Sequence, residues 1–293
     1  MEKIISMILL ATTVFVFNDG VHGRASDRET QYVIDRKLKA LNKPAVKTIM
    51  SEDGDTIDCV DIYKQPSLDH PALKNHTVQL RPSFDLTGKV DRINKSGQPV
   101  VNPELYGDNH TRLFAYWTAD GYNNKGCFDL TCAGFINTNT NFTIGGTFHP
   151  ISTTLGEQWQ INIAINRDPQ TGYWWFVYQN NVVGYWPASL FNSLKQSANL
   201  VEWGGEVYSQ AVKKTPHART AMGSGEMAYP LYGNARYIRN VKILDTSLQL
   251  KYPEWVGTWT DESSCYNAYN DLKDYEVPSF FFGGTPGRNA DCQ

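Results

Sequence analysis

The sequence predicts an all-β fold, an antiparallel β-sandwich of jelly-roll or lectin-like kind, preceded by a small N-terminal α+β segment. Three observations predict it. Short apolar or aromatic stretches recur after about residue 104, turns rich in Asn, Gly, Asp and Pro separate them, and only residues 187–197 in that part look helical. The chain has 293 residues, enough for one large domain with an appendage or for two small ones. Hydrophobic residues make up 41% and aromatics 13%, with eight Trp, against 19% charged, which excludes a mainly disordered chain or a solvated coiled coil. With 27 Lys and Arg against 30 Asp and Glu, the net charge is −3, which argues against a protein whose main business is gripping nucleic acid or an anionic membrane through a broad basic face.

The elements follow in order. Lys3, an apolar run from Ile4 to Phe17 and a polar stretch ending in Val21, His22 and Gly23 have the layout of a secretory signal peptide over 1–23. Cleavage is expected after Gly23, with Ala25 as second choice. The run is shorter than the roughly 18 apolar residues a membrane span needs, so the mature chain is expected to be extracellular, in apoplast or a secreted fluid, with no membrane attachment. Residues 26–44 read as a helix: Ser26 and Glu29 form a capping box, Ile34, Leu38 and Leu41 share a face, and Pro44 stops it. A strand is expected over 56–63. Residues 65–103, rich in Pro, Asn, Asp, Lys and Gly, read as a linker or an incomplete domain. The boundaries are therefore 1–23, 24–100 and 101–293.

Within the last part the expected strands fall in 112–117, 134–136, 159–165, 173–178, 181–186, 206–208 and 237–244. The turns 168–172 and 179–181 read as hairpin connections. Five cysteines suit an oxidising compartment. Disulfides are expected for Cys127 with Cys132 and for Cys265 with Cys292, acting as staples, because no second close pair and no H-E-x-x-H supports a metal site. Cys59 is left over, which points to an intermolecular bridge, a free thiol or the loss of a segment carrying its mate. Sequons at Asn75, Asn94, Asn109 and Asn141 are candidate glycan sites.

There is no nucleophile elbow, phosphate-binding loop or dinucleotide fingerprint. The chemistry-bearing stretch is 201–207, where Glu202 and Glu206 flank Trp203, Gly204 and Gly205 inside an expected strand. In a regular strand these carboxylates face the same way about 13 Å apart, too far to share a water. Glycosidase pairs, for comparison, stand about 5 to 10 Å apart. One of them therefore needs a partner from another strand, or else both are solvent-facing groups on a bulged strand. Trp174, Trp175, Trp186 and Trp203 either line a cleft for a sugar or proline ring or pack between sheets.

A series of motifs resembles the plant neprosin family. Residues 38–44, 53–59 and 70–82 resemble its activation region. Residues 106–109, 114–118, 126–127, 184–187, Trp203-Gly-Gly-Glu206, Met222-Gly-Ser-Gly225 and Phe282-Gly-Gly284 with Cys292 resemble its catalytic domain, in the same order. The resemblance implies a secreted glutamic endopeptidase, a hydrolase that cleaves proline-containing polypeptides after proline without metal or cofactor, and an N-terminal segment that restrains the zymogen. Two glutamates and a water carry that chemistry, and carboxylates sharing a proton work at acid pH. Glu206 falls where the family has its second catalytic glutamate, with Glu202 as the alternative; Trp203, Gly204, Gly205, Trp174 and Trp175 are the expected substrate-binding residues. The family's first catalytic glutamate lies in a Glu-Ala-Gly-Trp stretch where this chain has residues 95–100, without Glu or Trp. The Cys-Pro segment that would pair Cys59 is absent as well. One internal deletion or a mispredicted splice explains both losses, and the chain as written is then catalytically defective. Two other readings stand beside this: a non-enzymatic β-sandwich that binds cell-wall glycan or peptide through Trp, and a two-carboxylate glycoside hydrolase.

Overall fold

The chain is seen in a computed structural model, which describes residues 39, 42–50, 56–84, 101, 103–121, 125–207, 211–214, 216–229, 232–254, 256–272, 279–284 and 292. The expected signal peptide, nearly all of the expected 26–44 helix, and Asn94 lie outside the described residues. Among the described residues regular structure is almost wholly antiparallel β, as the sequence predicts, and helix is limited to single turns.

β1 (Ala45–Met50) pairs with β2 (Thr56–Val60), placing Ile49 opposite Ile57, and Thr48 donates to Asp58 across the strands at 2.6 Å. β2 matches the expected strand; β1 was not expected. Cys59, on β2, is a free thiol. β3 (Tyr116–Thr118) and β4 (Gly126–Phe128) form a second hairpin, beside which Cys127 is bonded to Cys132. β5 (Ile136–Asn137), β6 (Ile163–Arg167), β7 (Trp174–Tyr178) and β8 (Asn181–Trp186) form a four-stranded sheet in the order β5-β8-β7-β6. Its two hairpins use the turns the sequence marks. Gln179 and Asn180 both adopt positive φ, as the tight β7–β8 turn requires, and Asp168 accepts from the amides of Gln170 and Thr171 between β6 and β7.

β9 (Arg236–Arg239) is followed by a two-residue ribbon, β10 (Ile243–Leu244) with β11 (Leu250–Lys251). The expected strand 237–244 is thus broken in two, at Asn240 with its φ of 58°. β12 (Asn267–Asp271) and β13 (Ser279–Gly283) complete a sheet in the order β12-β13-β9. Residues 187–197 are not one helix but two 3-10 turns, Ala188–Leu190 and Ser193–Lys195.

Residues 65–84 are not a loose linker. Two 3-10 turns, Pro66–Asp69 and Pro71–Leu73, are each led by Pro, and Leu73 is buried in the main core. The segment docks on the four-stranded sheet: the Gln65 carboxamide donates to Asn137 O and accepts from Asn137 N, the His76 ring bonds the Tyr185 hydroxyl at 2.8 Å, and the Gln79 amide donates to that hydroxyl at 2.9 Å. The Ser83 amide and hydroxyl both donate to Asp168, which is fully buried. This docking explains why β7 is buried on both faces. Trp174 and Trp186 pair on one face, where Trp174 donates to Leu194 O; Trp175 and Tyr185 pair on the other, with ring centroids 4.4 Å apart. Asp129 is a second buried carboxylate. Burial raises its pKa to about 7, against the Tyr106 hydroxyl and the Ala115 amide, which donate to it.

Candidate functional site

Residues 201–207 carry no regular strand, contrary to the expectation, so the strand-based spacing of Glu202 and Glu206 does not apply. The physical reason lies beneath the two glycines. Phe280 and Phe282 stack on one face of β13 with centroids 5.6 Å apart, and the 203–206 stretch crosses directly over them. A Cβ on Gly205 would stand 2.7 Å from the Phe282 ring and 2.8 Å from Met222 Cγ, while one on Gly204 would be 3.9 Å from Phe280. The chain comes too close to this aromatic face to pair as a ladder strand, and glycine is what permits the approach. β12 and β13 were not expected as strands. Their signal was present in three consecutive Phe bounded by Pro278 and Gly283.

Glu206 leaves this crossing as an exposed residue, and partial desolvation of its carboxyl pushes its pKa above the usual carboxylate value. Desolvation is the cause, and no second carboxylate among the described residues contributes. Glu202 is exposed and Trp203 half-buried. The next residue, Val207, packs with Met222 against Tyr266 and the Cys265–Cys292 disulfide. Met222 in turn accepts the Gly225 amide and donates its own amide to Gly284 O at 2.9 Å, which fastens the 222–225 turn to the end of β13. Gly223 has φ +64°, and a side chain there would meet the Arg236 stem at 2.7 Å.

Other polar groups surround this floor. Arg236 lies opposite Phe282 on β9; burial lowers its pKa to about 9, and its Nε has no hydrogen-bond partner among the described residues. The His217 ring bonds Glu262 through Nε2 and the Ala218 carbonyl through Nδ1 at 2.8 Å. Tyr266, whose hydroxyl donates to Thr220 O at 2.9 Å, has its pKa raised by burial and then by Glu262. None of these three was singled out from the sequence. His217 also approaches both sulfurs of Cys265 and Cys292, but a disulfide offers no thiolate to a metal.

The remaining expected residues are elsewhere. Trp175 is 0% exposed and Trp174 7%, so both follow the packing alternative and neither presents a ring to a ligand. Asn75, Asn109 and Asn141 are exposed. A carboxyl whose pKa is raised by desolvation holds its proton to higher pH than a free one and can exchange it with a bound water or amide. Attack on a peptide bond requires a second group to polarise the carbonyl or protonate the leaving amine, and Glu206 has no such carboxylate beside it among the described residues. Comparison with known families gives this geometry its context: a model described as Neprosin activation peptide matches residues 48–127, and one described as Neprosin matches residues 92–285. The latter spans well over half of the chain, which therefore belongs to the neprosin family and shares its protease-like function.

Proposed function

We propose that the chain is a secreted member of the glutamic endopeptidase type, directed at the prolyl bonds of polypeptides at acid pH, in which Glu206 is one of two carboxylates and the other is missing. The observation that carries this reading is the place of Glu206, exposed with its carboxyl partly desolvated, next to the close Gly204-Gly205 crossing in a chain of the neprosin family. Glu206 takes the proton of the attacking water. With no partner to protonate the leaving amine, the polypeptide is bound more effectively than it is cleaved.

The test is incubation of purified protein with a proline-rich peptide at about pH 3, an acidity chosen for a shared-proton pair, with cleavage followed by mass spectrometry and binding by calorimetry. Saturable binding with slow cleavage after proline is expected. Glu206→Gln should abolish the residual cleavage and leave binding in place, whereas Glu202→Gln should leave both. Rapid turnover that survives neutralisation of both glutamates would sink the proposal. A saturable response to cell-wall polysaccharide alone would favour a glycan-binding role instead.

A further inference from the structure

We propose that Asn75 is an N-glycosylation site with a seat built for its own sugar, a cavity of about 350 Å³ lined by Pro71, Lys74, Asn75, His76, Tyr173 and Ser189. Its walls come from both sides of the junction between residues 65–84 and the four-stranded sheet. The hollow is open to solvent rather than enclosed, as a seat for a sugar attached at its rim would be. Asn75 is exposed in the sequon Asn75-His76-Thr77.

The neighbours of Asn75 are fixed. Leu73 is 2% exposed in the core, the His76 amide donates to Leu73 O at 2.9 Å, and the His76 ring is bonded to Tyr185. An exposed amide between two anchored residues is presented at a constant place on the cavity rim. Across the cavity Tyr173 is equally constrained, because its ring stacks on Tyr185 at 4.9 Å with an interplanar angle of 4°. A rigid aromatic face beside a hydroxyl and an ammonium suits an N-acetylhexosamine: the apolar face of the pyranose covers the ring, and its hydroxyls and acetamide meet Ser189 and Lys74. Asn109 and Asn141 are also exposed, but neither lines this cavity.

In the transfer, Asn75 Nδ2 attacks C1 of an oligosaccharide carried on a polyprenyl diphosphate. The N–C1 bond forms, the C1–O bond to the diphosphate breaks, and the amide proton leaves with the diphosphate product; no oxidant or reductant is involved. Once seated, the sugar joins the two sides of the junction and strengthens their docking. The site is independent of catalysis at Glu206.

The experiment is expression of the full chain in a eukaryotic secretory host, peptide mapping by mass spectrometry, and endoglycosidase release from the native protein. The expected result is a glycan on Asn75 released about tenfold more slowly than one on Asn141, the protection that roughly 1.4 kcal/mol of seating gives. Tyr173→Ala should remove the difference. Should that variant not accumulate, the comparison of Asn75 with Asn141 in the unaltered chain decides alone. An unmodified Asn75 in the secreted product, or equal release from both sites, overturns the proposal. Either result is separable from the peptidase reading, which the peptide assay tests.

Discussion

Two adjacent glycines in the 203–206 stretch face different surroundings, and the difference can be measured. A methyl on Gly205 would need to occupy space 2.7 to 2.8 Å from Phe282 and Met222, and Phe282 is only 2% exposed. Overpacking of this kind costs about 1–3 kcal/mol. A methyl on Gly204 would meet Phe280 at 3.9 Å, an ordinary van der Waals distance. Gly205→Ala should therefore lower the melting temperature by about 2–4 °C per kcal/mol lost, and Gly204→Ala should barely change it. Thermal unfolding of the two variants checks this, and equal melting temperatures would show that the chain does not lie against β13. The Trp-Gly-Gly-Glu motif was legible as a site candidate, since a Trp and two Glu around a glycine pair are a poor composition for a solvated turn. Its conformation was not legible. The rings that prevent regular pairing are more than seventy residues further along the chain.

At the scale of elements, what was legible in the sequence depended on the range of the forces involved. The β6–β7 and β7–β8 hairpins were visible because an Asx turn at Asp168 and positive φ at Gln179 and Asn180 are local matters. β1 and β12 were missed although each pairs with the next strand along the chain, because neither carries a run of apolar or aromatic residues; β13 has such a run in Phe280–Phe282, and its second partner, β9, lies about forty residues earlier. Residues 65–84, expected as part of a linker or an incomplete domain, are ordered by groups of the sheet, and this attachment should depend on pH. His70, edge-on to Trp117, and His76, beside Tyr173 and Tyr185, both have pKa values lowered by burial from 6.5, and no carboxylate pairs with either ring among the described residues. A base with a depressed pKa prefers to take its proton when undocked, so docking is strongest above 6.5 and weakens as pH falls below it. For Asp168, burial alone would raise the pKa, but the Ser83 hydroxyl and amide with the Gln170 and Thr171 amides bring it below 3.8, so docking weakens again below that pH. Hydrogen exchange of the 61–84 amides should show two losses of protection on acidification, the first beginning near pH 6.5 and the second below 3.8. Protection that stays constant from neutral to acid pH would show that these groups do not govern the attachment.

At the scale of the whole molecule, the all-β class was legible because aromatic strands and turn residues alternate throughout residues 104–244. The union of the N-terminal segment with the sheet was not, since nothing in residues 65–103 has strand or helix periodicity. That union places the division between segment and sheet under test. In a chain reduced to residues 101–293, Asp168 loses the two Ser83 donors and Tyr185 loses both His76 and Gln79. Trp175 and Tyr185, each 0% exposed in the full chain, lose cover on the same face. Each buried group left without its partner costs about 1–3 kcal/mol, in addition to the lost apolar burial. The truncated protein should melt several degrees lower, at about 2–4 °C per kcal/mol, and bind a hydrophobic dye. A peptide spanning residues 61–84 added in trans should reverse part of both changes, because it returns Ser83, Gln79 and His76 to the same face. An Asp168→Ala substitution should reduce the peptide's effect, since Ser83 then has no acceptor. If the truncated and full-length proteins instead unfold at the same temperature, the N-terminal segment is an attachment that adds nothing to the fold, and the burial of Trp175 must be secured from within residues 101–293.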